Sequence, residues 1–199
     1  MLHLLEETMK SFSLLIALTI LFGADDKAPN QRTRDRDVDI HHIKIDVTVD
    51  LEKKSVSGNV THTLSAFNSS LSEFELDAED MEIHRVRLDG KDISYNHHGD
   101  KVFLSLNKPI GWDDTVKVRL DYTAHPRRGT FFIEPDSVYP EKPWQAWTQG
   151  EDTDNHHWVP IYDYPNDKAT FETILTVDKK FLAISNGELV SLKENKDGT

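Results

Sequence analysis

A two-residue alternation of apolar and polar side chains is the feature that most constrains how this chain can fold. Between Ile43 and Leu51 every second residue is apolar and the residues between them are polar. Successive side chains of a β-strand point to opposite faces, so this pattern predicts a half-buried strand. The alternation returns in four further runs: 60–66, 74–78, 102–106 and 116–122. Short turn-rich segments separate the runs and no sustained helical period is present, which predicts an antiparallel all-β domain.

The last third of the chain has a different character. Five prolines and three tryptophans lie within residues 134–167, which predicts a segment that is mostly loop and is ordered by aromatic packing and side-chain hydrogen bonds. Regular alternation returns from Ala169 to Val177. Asn186-Gly187, between two short apolar runs, predicts a type I′ hairpin. Because the sequence stops in the turn-like Asp197-Gly198-Thr199, we expect the domain to be truncated at its C-terminal end.

The amino terminus predicts export. An apolar run from Phe12 to Phe22 follows Met9-Lys10 and precedes Gly23-Ala24, as in a signal peptide. We therefore expect residues 1–24 to be a signal peptide, 25–39 a flexible lead and 40–199 the β domain. The expected location is periplasmic, cell-envelope or extracellular, with no membrane span once the signal is removed. The start codon and the cleavage site stay open.

Composition excludes some classes of partner. The chain has 23 Lys and Arg against 35 Asp and Glu, a net charge of −12, which disfavours binding to nucleic acid. With no cysteine, a metal would need histidine and carboxylate ligands. Three adjacent histidine pairs are candidates: His41-His42, His97-His98 and His156-His157. Adjacent side chains of a strand point to opposite faces, so we expect none of these pairs to bind a metal.

The sequence contains no self-contained catalytic motif. No histidine is followed by glutamate, so the His-Glu-x-x-His zinc helix is absent, and so are a Gly-x-Ser-x-Gly motif and a phosphate-binding glycine loop. We therefore expect no catalytic residue and no metal ligand in this chain.

The most informative stretch begins at Gln149-Gly150-Glu151 and continues through Trp158-Val159-Pro160 to Asp163-Tyr164-Pro165-Asn166-Asp167-Lys168-Ala169-Thr170-Phe171. In their order and spacing, these motifs resemble the amino-terminal domain of the aminopeptidase N and leukotriene hydrolase family of zinc metallopeptidases. The resemblance is strongest over residues 149–190 and extends more weakly back to Ile40.

This resemblance implies a saddle-like β-sandwich that forms one wall of a substrate cleft. It implies that Glu151 binds the free α-ammonium of a peptide substrate and that Gln149 lines the pocket for the first side chain. It also implies zinc in the parent protein, held by a following catalytic domain and not by this chain. The expected partners are that domain and peptides with a free amino terminus, and the implied activity is that of an aminopeptidase.

Other interpretations of the same residues stay open. Gln149-Gly150-Glu151 can be a solvated turn. The protein can be a non-catalytic scaffold, or a carbohydrate- or protein-binding β-sandwich module if Trp144 and Trp147 are exposed side by side. Within the family resemblance, Asp163 is expected to accept loop hydrogen bonds and Lys168 to neutralise nearby carboxylates.

Overall fold

The computed structural model describes residues 33–199, so the expected signal peptide lies outside the described residues. One 3₁₀ helix, Asn155–His157, accompanies the strands, and residues 33–199 contain no α-helix. No helix in this range is long and apolar enough to cross a membrane. The strands are β1 Val38–Asp50, β2 Ser55–Ala66, β3 Leu71–Asp77, β4 Met81–Leu88, β5 Lys91–Asp92, β6 Ser94–His98, β7 Lys101–Ile110, β8 Val116–Ala124, β9 Thr130–Ile133, β10 Gln145–Thr148 and β11 Thr170–Thr176.

The strands form three sheets. The largest has the order β11-β1-β2-β8-β4-β5, a second has the order β3-β7-β6, and β9 pairs with β10. The buried apolar side chains of the first two sheets form one core, which includes Val60, Leu64, Leu76, Leu104 and Leu120. These residues belong to the alternating runs of the sequence, and the prediction of an all-β domain is confirmed.

One pair of strands departs from the antiparallel expectation. β11 lies beside β1 in parallel, with a register that runs from His42 opposite Thr170 to Thr48 opposite Thr176. Alternation within one strand carries no information about the direction of its neighbour, so the sequence pattern could not reveal this. Parallel neighbours need a long connection. Here the connection is the chain from β1 onward, including the proline-rich loops.

The predicted hairpin at Asn186-Gly187 is wrong in this structure. Gly187 has the positive φ of a turn residue, at 95°, but the chain on either side is not in strand conformation. Leu182, Ile184, Leu189, Val190 and Leu192 are between 77% and 93% exposed. A two-stranded hairpin is marginally stable when its apolar side chains are not buried, and these side chains stay largely exposed.

His62 is a fully buried histidine at the centre of β2. Its Nε2 donates a hydrogen bond to the carbonyl oxygen of Pro160 at 2.9 Å, which fixes the proline-rich loop to the sheet. Burial disfavours the charged ring and lowers the pKa of His62 from 6.5 to about 4. The residue therefore has a structural role in the neutral form.

We expect this burial to make the domain acid-sensitive. Between pH 6.5 and about 4 the unfolded chain binds a proton that folded His62 does not. The free energy of unfolding should therefore fall by about 3 kcal/mol as the pH is lowered through this range. Denaturant titrations of the wild type and of His62→Leu at several pH values measure the effect. On acidification the wild type should lose free energy of unfolding relative to His62→Leu. A difference between the two proteins that does not change with pH would contradict the assignment.

Candidate functional site

The loop that carries Gln149 and Glu151 leaves directly from β10. β10 pairs with β9, with Trp147 opposite Phe131 and Thr148 opposite Thr130. The rings of Phe131 and Trp147 stack with centroids 4.5 Å apart. The backbone N–H of Gln149 then donates to the carbonyl oxygen of Gly129 at 2.9 Å. The two strands therefore hold the start of the loop in place.

Two glycines allow the loop to close against the 3₁₀ helix. Gly129 has φ +71°, and a Cβ placed there would lie 1.9 Å from the carbonyl oxygen of Asp154. A Cβ on Gly150 would lie 2.2 Å from Oδ1 of Asn155. The N–H of Asp154 donates to the carbonyl oxygen of Gly150 at 3.0 Å, which closes the turn. A side chain at Gly129 would displace the backbone of the loop, and one at Gly150 would displace the side chain of Asn155.

Asp163 anchors the far side of this loop. Its carboxylate accepts hydrogen bonds from Nδ2 of Asn155 at 3.2 Å, from the backbone N–H of His156 at 2.9 Å and from Nδ1 of His156 at 2.9 Å. Its own N–H donates to Oδ2 of Asp77 at 2.8 Å. The hydrogen bond from the His156 ring to Asp163 raises the pKa of His156. The expected structural role of Asp163 is confirmed.

Lys168 does not do what the sequence predicted. It is exposed, and within residues 33–199 it makes no ion pair. The neighbouring carboxylate of Asp167 is instead paired with Arg36 and accepts the backbone N–H of Ile40 at 3.1 Å. The arginine comes from the segment before β1, which the sequence pattern had assigned to a flexible lead.

Gln149 and Glu151 flank Gly150, and both are exposed. In the part of the chain that the structure describes, the Glu151 carboxylate has no hydrogen bond and no ion pair. Because the loop backbone is fixed at both ends, binding of a cation would restrict mainly the rotamers of the Glu151 side chain. The geometry therefore suits the capture of an ammonium group.

A large open cavity of about 860 Å³ lies beside this loop. Its walls include the apolar face of β1, the aromatic residues Trp147, Trp158 and Tyr162, and the segment around Phe181. Thr148, Asp152 and Asn155 belong to its lining, whereas Gln149 and Glu151 do not. The two predicted residues therefore lie on the loop that borders the cavity rather than within it.

The three tryptophans of the loop region have different roles. Trp158 packs against the core, as the sequence predicted. Trp144 and Trp147 are 39% and 49% exposed. However, Trp147 stacks on Phe131, and the described residues show no ring contact between Trp144 and Trp147. They do not form the side-by-side platform that a carbohydrate module would use.

Sequence reasoning missed a cluster formed by Glu79 with His156 and His157. Among residues 33–199, these form the single group of three or more histidine and carboxylate side chains whose ligand atoms all lie within 4.8 Å of one another. Glu79 is 77 or more positions away in the sequence, so no local spacing reveals the contact. The group lacks the His-Glu-x-x-His arrangement and is therefore not the catalytic zinc site. The resemblance places that site in another domain of the parent protein.

Fold and loop together define an all-β domain with an exposed loop at Gln149 and Glu151. The sequence model of the Peptidase M1 N-terminal domain matches residues 39–199, and the chain belongs to this family.

Curated relatives are aminopeptidases and their kin. The chain is 28% identical over 131 residues to Probable aminopeptidase 1 of Saccharolobus solfataricus, which covers 66% of this chain and 16% of that protein. It is 23% identical over 94 residues to aminopeptidase B of Mus musculus, covering 47% and 14%. Leukotriene A-4 hydrolase of Xenopus laevis is 20% identical over 152 residues, covering 73% and 25%. The chain thus matches at most a quarter of the length of these relatives.

Solved structures agree on the fold. An M1 zinc metallopeptidase from Deinococcus radiodurans, in a mutant form bound to a Tyr-Ser-Ala substrate, superimposes with a TM-score of 0.68 at 25% identity, covering 81% of this chain and 37% of that one. Yeast LTA4 hydrolase in complex with bestatin superimposes with a TM-score of 0.63 at 17% identity, covering 80% and 27%. The second likeness concerns the fold alone.

Proposed function

We propose that this chain forms one wall of the substrate cleft of a zinc-dependent aminopeptidase, which removes amino-terminal residues from peptides. The observation that carries the proposal is the exposed carboxylate of Glu151, which has no partner within residues 33–199 and stands on a loop clamped by Gly129, Gly150 and Asn155. Membership of the M1 N-terminal domain family supports the same conclusion.

In this proposal Glu151 binds the free α-ammonium of the peptide. A charge-assisted hydrogen bond between a carboxylate and an ammonium contributes about 1.5–3 kcal/mol. Because a blocked amino terminus lacks the charge, this contact selects exopeptidase substrates. Gln149, on the other side of Gly150, lies on the loop that borders the cavity and would line the pocket for the first side chain once the following domain completes it.

The catalytic chemistry belongs to a following domain of the same protein. Zinc held there would supply Lewis-acid activation of a water molecule. The residues of this chain bind and orient the substrate. The open cavity beside the loop provides a largely apolar surface that would help to exclude water once the second domain covers it.

We also propose the domain organisation and the location. Residues 1–24 are a cleaved signal peptide, residues 25–37 a lead, and the amino-terminal domain begins with β1 at Val38 rather than at residue 40. The apolar run from Phe12 to Phe22 supports this organisation. The protein is then exported to the periplasm, the cell envelope or the exterior.

Expression of the complete parent protein in a bacterial host tests the proposal. We expect it to hydrolyse an aminoacyl anilide, to lose this activity with a chelator and to regain it with Zn²⁺, whereas the 199-residue chain alone should be inactive. A folded, metal-loaded parent without activity would instead support a non-catalytic scaffold. Fractionation and amino-terminal sequencing of the same preparation test export, and an uncleaved cytosolic product would refute export without affecting the peptidase proposal.

A further inference from the structure

Glu79, His156 and His157 meet at a point away from the exposed recognition loop. Glu79 lies in the short connection between β3 and β4, and the two histidines lie on the 3₁₀ helix. The backbone N–H of Glu79 donates to the carbonyl oxygen of His156 at 2.9 Å, which fixes the two segments together. Oε2 of Glu79 is 3.6 Å from Nε2 of His156 and 3.8 Å from Nε2 of His157.

The two histidines converge because they are not on a strand. A 3₁₀ helix has three residues per turn, so adjacent side chains differ in direction by about 120° rather than 180°. The rings of His156 and His157 are stacked, with centroids 4.5 Å apart and an angle of 29° between their planes. The expectation that adjacent histidines diverge was therefore wrong for this pair.

Hydrogen bonds orient both rings. Nδ1 of His156 lies 2.9 Å from Oδ2 of Asp163, and Nδ1 of His157 lies 2.8 Å from Oδ2 of Asp80. An ionised carboxylate can only accept, so each Nδ1 carries the proton. In the neutral rings both Nε2 lone pairs then face the carboxylate of Glu79. A proton on Nε2 of either ring would satisfy Glu79 through a hydrogen bond; with both rings neutral, a cation between the three electron-pair donors does so.

We propose that Glu79, His156 and His157 bind a divalent first-row transition-metal ion, with Zn²⁺ as the representative case. Two imidazole nitrogens and one carboxylate oxygen are ligands that such ions prefer. The carboxylates of Asp163 and Asp80 on the opposite ring nitrogens are the supporting contacts found behind metal-binding histidines. Ligand atoms around a tetrahedral zinc are about 3.3 Å apart. Oε2 of Glu79, at 3.6 and 3.8 Å from the two ring nitrogens, is close to that spacing, whereas one of the stacked rings would have to turn out of the stack for both Nε2 lone pairs to reach the same ion.

The surroundings leave a coordination position open. His157 is buried and His156 mostly so, but the side chain of Glu79 is 36% exposed. Arg127 occupies the other oxygen of Glu79, Oε1, at 3.3 Å and the carboxylate of Asp80 at 2.6 Å, which leaves Oε2 for the ion. Water can therefore complete the coordination from the solvent side.

A bound ion would join the β3–β4 connection to the 3₁₀ helix. Asp154 and Asn155, at the start of that helix, hold the carbonyl oxygen of Gly150. The ion would thus brace the segment that supports the recognition loop. The role of the ion would be structural. The proposal of this site does not depend on whether the parent protein is a peptidase.

Titration of the untagged, chelator-treated 199-residue chain with Zn²⁺ by calorimetry tests the site. We expect one ion per chain in a saturable transition. Glu79→Gln keeps the size of the side chain but removes the charge, and should weaken binding by about tenfold or more. His156→Gln should do the same. His98→Gln removes an exposed histidine from another pair and should leave the affinity unchanged.

The variants make the result decisive. Glu79 is partly exposed, so Glu79→Gln is expected to fold even if a histidine variant does not, and far-ultraviolet circular dichroism checks this. Titration with Co²⁺ gives a second readout through its visible absorption bands, which should be lost in Glu79→Gln. The absence of saturable binding would overturn the proposal. Stoichiometric binding with equal affinity in wild type and Glu79→Gln would overturn it as well, since the ion would then be elsewhere.

Discussion

Replacement of Glu151 by alanine in the complete parent protein is expected to lower kcat/KM for aminopeptidase substrates by about ten- to a hundredfold. The range corresponds to loss of one charge-assisted contact of about 1.5–3 kcal/mol, at 1.4 kcal/mol per tenfold. If the ammonium is held equally in the ground and transition states, the loss appears in KM. If its position also aligns the scissile carbonyl, kcat falls too. Steady-state kinetics with an aminoacyl anilide separates the two parameters.

Two controls distinguish recognition of the amine from support of the fold. Glu151→Gln should be milder than Glu151→Ala, because an amide oxygen still accepts a hydrogen bond. A peptide with an acetylated amino terminus should be turned over slowly by the wild type and should hardly respond to the substitution. Glu151 is exposed at the surface of its loop, so the catalytic zinc content should be unchanged. Equal losses for free and acetylated substrates would mean that Glu151 supports the loop rather than binding the amine.

Gly58→Val is expected to destabilise the domain by about 3 kcal/mol, which for a chain of this size lowers Tm by roughly 6–12 °C. Gly58 lies in the central strand β2, opposite Val47 of β1 and Tyr122 of β8. A Cβ there would lie 2.2 Å from the carbonyl oxygen of Asp46 and 2.8 Å from Cα of Val47. Its φ of +151° is also unfavourable for a β-branched residue. Relief requires β1 and β2 to separate locally.

Gly99→Asn is the matched control for this substitution. Gly99 has φ +64°, and a Cβ placed there meets nothing within 4 Å. Asparagine tolerates this conformation better than other residues with a side chain, so Tm should stay close to that of the wild type. Calorimetric scans of both variants give the comparison. A Gly58→Val protein as stable as Gly99→Asn would contradict the close contact between β1 and β2.

The sequence predicted the strands well because burial leaves a direct trace in them. The run from Val60 to Ala66 lies in the second half of β2, and the apolar positions of that run are buried together with His62. Period-two alternation indicates which face of a strand is buried, independently of the element that packs against that face. The same reasoning could not give the parallel pairing of β11 with β1, because the partner of a strand is a property of the whole chain.

The candidate site was predictable only in part. Gln149 and Glu151 were singled out by resemblance, and their exposure on a clamped loop agrees with a recognition role. The cluster of Glu79 with His156 and His157 was not foreseen. It depends on a 3₁₀ turn, and the proline-rich sequence of that segment predicted only loop. The side chains of adjacent histidines point to opposite faces on a strand but can converge on a 3₁₀ turn. The backbone conformation decides which of the two occurs.

The parallel pairing of β1 and β11 also bears on the order in which the domain assembles. His42 and Thr170, which face each other across these strands, are 128 positions apart in the sequence. Closing so large a loop is slow relative to the pairing of β1 with β2. At a synthesis rate of about 5–20 residues per second, β1 would wait for roughly 6–25 seconds with one edge open before β11 is made. During translation, the unpaired N–H and C=O groups of this edge are open to pairing with another chain.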